Sequence, residues 1–291
     1  MTAEKPGLDR RRNAYRADLA AEALRGMVAA PRYAAGDTRQ VVDAAVPLRE
    51  APNARARWAT EVLFGERVTL YDERNGWAWV QLDGDGYVGY LPAAALSARL
   101  QPATHWVRAP STWLYPVPDF KAPPGLWLST NAAVCVVEMR AAFARLADGR
   151  FVPTPHIAER ACSAPDFVAV AEGFLGAPYL WGGKTRLGVD CSGLLQLAIH
   201  ASGRPCPRDS DMQLAEVGGR VEVGDDLGRL ARGDLVFWPG HVGIMLDRAR
   251  LLHANAHHMA VAIEPLQVAA QRIARTGALI AAVKRLGAGS G

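Results

Sequence analysis

Asp190-Cys-Ser-Gly-Leu-Leu-Gln-Leu-Ala-Ile199 is the stretch that decides how this chain is read. Leu194, Leu195, Ala198 and Ile199 repeat at helical spacing, and Gly203 and Pro205 stop the pattern. Asp190 stands where a side-chain oxygen caps the first free N–H groups, so the helix begins at Cys191. A thiol attacks well only as thiolate, and the unpaired N–H groups and positive dipole end of a first turn favour that form. Cys191 is therefore the candidate nucleophile. Cys135 lies in an apolar strand-like run, Cys162 precedes a helix and Cys206 sits between two prolines, so these three read as structural.

A nucleophile of this kind needs a base, and the chain downstream supplies one. Asp234-Leu-Val-Phe-Trp238 reads as a strand, Pro239-Gly240 as a turn, and His241-Val-Gly-Ile-Met-Leu246 as the next strand, opened by His241. His253 follows twelve residues later, in a run from Leu251 to Ile263 read as the partner strand. A three-residue hairpin loop, Arg248 to Arg250, puts His241 and His253 on one face, whereas a two-residue loop separates them. Nucleophile, base and orienting polar group is an arrangement recognised by role. Zinc is the other use of such side chains, through His253, His257 and His258. No H-E-x-x-H and no paired cysteines accompany them, so neither metal nor cofactor is expected. His105, His156 and His200 read as structural.

Upstream of Cys191 a helix is expected from Pro165 to Leu175, closed by Gly176 and followed by a glycine-rich loop. Helices and strands so mixed make residues 161–287 an α+β domain. Residues 41–100 have a different texture, with short apolar runs such as Glu66-Arg-Val-Thr-Leu-Tyr71, Trp77-Ala-Trp-Val80 and Tyr87-Val-Gly-Tyr-Leu91, broken by Gly, Asn and Asp. Leu48-x-x-x-Pro52 recurs as Leu114-x-x-x-Pro118, and Asp85-Gly86 as Asp148-Gly149. Two small β-barrels in tandem, 41–100 and 101–160, are the economical reading. Within residues 1–40, Tyr15, Leu19 and Ala23 lie at helical spacing between Asp9 and Gly26, which predicts an N-terminal helix.

The 291 residues are long for one core, with 33 Lys and Arg against 29 Asp and Glu. The basic residues are scattered among acids, which argues against a nucleic-acid partner. Four cysteines without C-x-x-C pairing are expected to be free thiols in a reducing compartment. Arg10, Arg11 and Arg12 are followed by no apolar core, and no run is long enough to span a membrane. The expectation is a cytoplasmic protein without a membrane partner.

Pro178-Tyr-Leu-Trp-Gly-Gly183, Asp190-Cys-Ser-Gly-Leu194, Gly233-Asp-Leu-Val-Phe-Trp238 and Gly240-His-Val-Gly-Ile244, in that order, resemble the NlpC/p60 family of papain-like cell-wall peptidases. The resemblance covers about 160 to 285 and implies a papain-like fold with Cys191, His241 and His253 as catalytic residues. The two β units resemble the bacterial SH3-like domains of one branch, the γ-D-glutamyl-L-diamino acid peptidases. These cut murein peptides that carry a free N-terminal L-Ala. By that resemblance Asp209 is an acceptor for the free amine, joined by Glu61 and Tyr87 of the first SH3-like domain, while Tyr179, Trp181 and Ser192 line the cleft. Whether Tyr87 or Tyr90 faces the cleft is left open by the sequence. A murein peptide is thus the expected partner, met in wall-peptide recycling. The alternatives are an amidase or acyltransferase on the same Cys–His scaffold, or a non-catalytic murein-peptide binding protein.

Overall fold

The computed structural model describes residues 8–222 and 229–287. The chain divides into two units, residues 1–160 and 161–291.

In the first unit, seven strands form one antiparallel sheet in the order Trp58–Leu63, Ala45–Arg49, Val88–Pro92, Trp77–Leu82, Arg67–Arg74, Asp37–Val41, Leu96–Ser97. Asn75 and Gly76 both take positive φ, 53° and 77°. That is the two-residue hairpin turn whose twist matches the flanking strands, and it joins Arg67–Arg74 to Trp77–Leu82. Residues Val46, Leu48, Val62, Val68, Val80 and Leu91 are buried inside the sheet. The expected barrel is not closed by hydrogen bonds. Ala45–Arg49 meets Val88–Pro92 at the single pair Arg49–Tyr90, and the edge strands Trp58–Leu63 and Leu96–Ser97 do not pair with each other.

Residues 101–160 form two three-stranded sheets and a two-stranded one around Val107, Leu114, Leu128, Val134, Leu146 and Val152. The recurring residues share some features. Leu48 and Leu114 are both fully buried, and Gly86 and Gly149 both turn at positive φ between antiparallel strands.

The expected N-terminal helix is absent among the described residues. Ala20–Ala21 pairs in parallel with Tyr33–Ala34, and a single 3-10 turn covers Glu22–Leu24. The sheet claims the backbone groups a helix would use for itself: the Val88 N–H donates to the Arg11 carbonyl and the Gln81 amide to that of Arg12. Ala14, Leu19, Ala21 and Leu24 pack with Trp79, and the Arg16 guanidinium lies 4.6 Å from the Trp79 ring while pairing with Asp18 and Asp72. Short helices are marginal in water, so this packing overrides the helical spacing.

The second unit is α+β. Helix α1 (Phe167–Glu172) is capped by Asp166, and α2 (Cys191–Ala201) by Asp190, whose side chain accepts from the Gly193 N–H. Helix α3 (Ser210–Glu216) follows. A six-stranded antiparallel sheet is built from β1 (Gly219–Arg220), β2 (Asp234–Trp238), β3 (His241–Met245), β4 (Arg250–Asn255), β5 (Ala260–Pro265) and β6 (Ala282–Arg285), in the order β1-β6-β2-β3-β4-β5. Helix α4 (Leu266–Ala274) packs Leu266 and Ala269 against Val236, Trp238, Met245 and Leu251 on one face, while α2 packs on β3 and β4. The run Leu251 to Ile263 is two strands, β4 and β5, parted by a turn in which Met259 takes a φ of 50°. No helix among the described residues is long and apolar enough to cross a membrane.

Candidate active site

The sheet register brings the two histidines together. Ile244 pairs with Leu252 and Met245 with Leu251, and the Leu246 N–H closes the hairpin on the Arg250 carbonyl. The loop is therefore three residues long, Asp247 to Ala249, one position earlier than expected but of the same parity. His241 and His253 share a face, and His241 Nε2 lies 2.8 Å from His253 Nδ1. Gly243 makes room for this. A Cβ there would stand 2.7 Å from Leu251 Cδ1 and 3.2 Å from His253 Cβ.

Cys191 opens α2 and is buried, at 9% exposure. The Val242 N–H points at its sulfur, beside His241 and beyond the last β3–β4 pair, and the Ser192 N–H also favours the thiolate. Burial opposes them, and so does the neighbouring Asp190 carboxylate, so the thiol is pushed up to about 12. The helix start alone therefore does not set the state of the thiol, because burial works against the charged form. Burial, with the His253 and Arg272 charges adding to it, likewise brings His241 down to about 3. Both shifts favour the uncharged forms, a thiol and a neutral imidazole.

Underneath Cys191 lies a buried ion pair. The Arg208 guanidinium, 1% exposed, donates to Asp190 Oδ1 at 2.9 Å and Oδ2 at 2.7 Å. Asp190 also accepts from the Gly182 and Gly193 N–H groups and the Ser192 hydroxyl. The Arg208 guanidinium donates to Ser192 Oγ as well, at 2.8 Å. The Ser192 hydroxyl is thus held in this cluster. Gly183 carries no side chain because a Cβ would meet the Gly188 carbonyl oxygen at 2.5 Å.

Tyr179 is half-buried, and its hydroxyl is pushed up to about 12 by burial first and by the neighbouring Cys191 and Asp190 after it, so it stays a neutral donor. Trp181 is 64% exposed, so it does not pack the glycine-rich loop. Asp209 precedes α3 and is partly exposed. Glu61 and Tyr87 are buried side chains of the first unit, and Tyr90 is tied to Arg16 there. Ligand atoms of His253, His258 and Glu264 lie within 4.8 Å of one another. His253 uses both ring nitrogens and Glu264 both oxygens in other hydrogen bonds, which a metal at this cluster would have to break.

Helix-borne cysteine, paired histidines on adjacent strands and the capping aspartate coincide with a sequence match to the NlpC/P60 family over residues 176–275. The chain carries an NlpC/P60 cysteine peptidase domain. Residues 48–96, in the first unit, match the bacterial dipeptidyl-peptidase SH3 domain. Two curated relatives are named γ-D-glutamyl-L-lysine dipeptidyl-peptidase. The one from Bacillus cereus is 28% identical over 71% of this chain and 70% of its own length, and the one from Bacillus subtilis is 27% identical over 67% and 71%. A crystal structure of an NlpC/P60 family protein from Bacillus cereus covers 86% of this chain and 99% of its own at a TM-score of 0.72 and 20% identity, a likeness of fold.

Three side chains of the NlpC/P60 domain escaped the sequence reading. Arg208 directly precedes Asp209, yet nothing local marks it as the partner of Asp190. Glu264 accepts from His253 Nε2 at 2.8 Å and is in turn gripped by Arg272. Its signal was a lone acid at the end of an apolar run, one residue beyond the strand as read.

The protonated resting thiol has a direct consequence. Alkylation of Cys191 by iodoacetamide, followed by peptide mass mapping, is expected to be slower at pH 7 than that of exposed Cys162 and to be still rising above about pH 9. A Cys191 rate that levels off below pH 7 would mean that a thiolate–imidazolium pair exists before substrate binds.

Proposed function

We propose that the protein is a cysteine peptidase that cleaves the bond between γ-D-Glu and an L-diamino acid in murein peptides with a free N-terminal L-Ala. The observation that carries this is the His241–His253 pair beside the Val242 N–H that faces Cys191, in a chain whose relatives are named for γ-D-glutamyl-L-lysine bonds. In this reading His241 takes the proton from Cys191 as sulfur attacks the γ-glutamyl carbonyl, and returns it to the departing amine; water then releases the acyl group. Backbone N–H groups at the start of α2 and the Tyr179 hydroxyl are the donors available to the oxyanion. His253 orients the base.

Asp209 supplies a carboxylate for the substrate ammonium. A buried ammonium without acceptors costs roughly several kcal/mol, so such a site rejects peptides whose amine is blocked. Peptides still attached to glycan through that nitrogen are excluded with them. The reading therefore puts the enzyme after release of wall peptides, in recycling.

Mass analysis of products from L-Ala-γ-D-Glu-meso-diaminopimelate and its N-acetyl form tests this. Release of L-Ala-γ-D-Glu from the free peptide alone is expected. Equal cleavage of the acetylated peptide would remove the amine argument, and no cleavage of either would return the choice to acyl transfer or to binding without turnover.

A further inference from the structure

The hydrogen bonds behind His253 continue further than the proposed mechanism requires. His253 is 1% exposed, and its Nε2 lies 2.8 Å from Glu264 Oε1. Arg272, on α4, donates from Nη1 to Glu264 Oε2 at 2.6 Å and from Nη2 to Oε1 at 2.5 Å. His241, His253 and Glu264 stand on three consecutive strands, on the face that α4 covers. The four side chains form one line, His241–His253–Glu264–Arg272.

An ionised carboxylate only accepts hydrogen bonds, a guanidinium only donates them, and a neutral imidazole has one N–H and one lone pair. Burial brings His253 down to about 4, so its ring is neutral at pH 7, and the rules then leave a single assignment. Arg272 is always charged, so both Glu264 oxygens face donors and the carboxylate stays ionised; burial opposes this, but the bonds from Arg272 and His253 hold it down to about 2. His253 must then carry its proton on Nε2, which leaves Nδ1 as the acceptor. His241 must donate through Nε2, which leaves its Nδ1 with the lone pair.

We propose that Glu264, anchored by Arg272, is a positioning residue that locks His253 and through it His241 in the Nε2–H tautomer, so that His241 Nδ1 is the nitrogen that receives the Cys191 proton. The inference deepens the peptidase reading above, but its first readout needs no substrate. With the lock removed, His253 can carry its proton on Nδ1; His241 then accepts at Nε2 and turns an N–H, with no lone pair, toward the sulfur.

Full-length protein labelled with 15N-histidine, read by long-range proton–nitrogen correlation, reports both tautomers directly. The wild type is expected to show a single Nε2–H form for each of the two rings. Glu264→Met removes the acceptor, and Glu264→Gln, close in volume and so less disturbing to the fold, replaces an obligatory acceptor by an amide that can accept or donate. Each is expected to bring up the Nδ1–H form of His241 and to lower kcat about tenfold or more with KM nearly unchanged, because general-base catalysis falls with the share of correctly protonated rings. An Nδ1–H form of His241 in the wild type overturns the proposal, as do unaltered tautomers in both variants. Wild-type tautomers as assigned, in a protein that cleaves no murein peptide, would leave the lock standing and discard the substrate reading.

Discussion

Cys191→Ala is expected to leave no turnover of L-Ala-γ-D-Glu-meso-diaminopimelate, and His241→Ala to lower kcat/KM at pH 7 by about three orders of magnitude or more. The size of the second effect follows from where the proton rests. With the thiol at about 12, only roughly one molecule in 10⁵ carries a thiolate at pH 7 when nothing takes the proton during attack. The two variants should also differ in their pH dependence. Residual activity of His241→Ala should climb with pH as hydroxide replaces the missing base, whereas Cys191→Ala should stay inactive at every pH. Progress curves from pH 6 to pH 10 check this. A His241→Ala residual that is flat across the range would mean that the sulfur is already ionised in the resting enzyme, and that burial at Cys191 is offset by something other than the imidazole.

Arg208→Met should destabilise the NlpC/P60 domain by about 3–5 kcal/mol, the usual cost of removing one partner from a buried ion pair. The reason lies with Asp190. Its carboxylate would keep the Gly182 and Gly193 N–H groups and the Ser192 hydroxyl but lose both charged hydrogen bonds in a buried position. The α-helices among the described residues all lie in the second unit, so urea unfolding followed by the helical circular-dichroism band reports on that unit. Arg208→Met/Asp190→Asn should recover part of the loss, because the stranded charge goes with the partner. A double variant no more stable than Arg208→Met would show that Arg208 contributes through packing rather than through charge.

How much of this was legible beforehand depends on how far each signal reaches along the chain. The cap at Asp190, the helix from Cys191 and its stop near Gly203 are set by residues a few positions apart, and the structure has them as read. The shared face of His241 and His253 follows from period-two alternation across an odd loop, and it survives the shift of that loop by one residue. The failures share one cause. Tyr15, Leu19 and Ala23 have helical spacing, but Trp79 and the sheet backbone lie far along the chain, and their packing outweighs a weak local preference. The thiol followed the same rule, since a helix start is visible in sequence while the burial that keeps Cys191 protonated exists only after α2 has packed on the sheet. Arg208 meets Asp190 across eighteen residues and Arg272 meets Glu264 from a separate helix. The sequence by itself determined the order of the elements, the nucleophile's place at a helix start and the common face of the histidines, because those rest on local geometry. Only the tertiary structure decided which charges are buried together, which nitrogen of each imidazole holds its proton and where the Cys191 proton rests, because desolvation and hydrogen-bond direction depend on neighbours that the chain does not bring near until it folds.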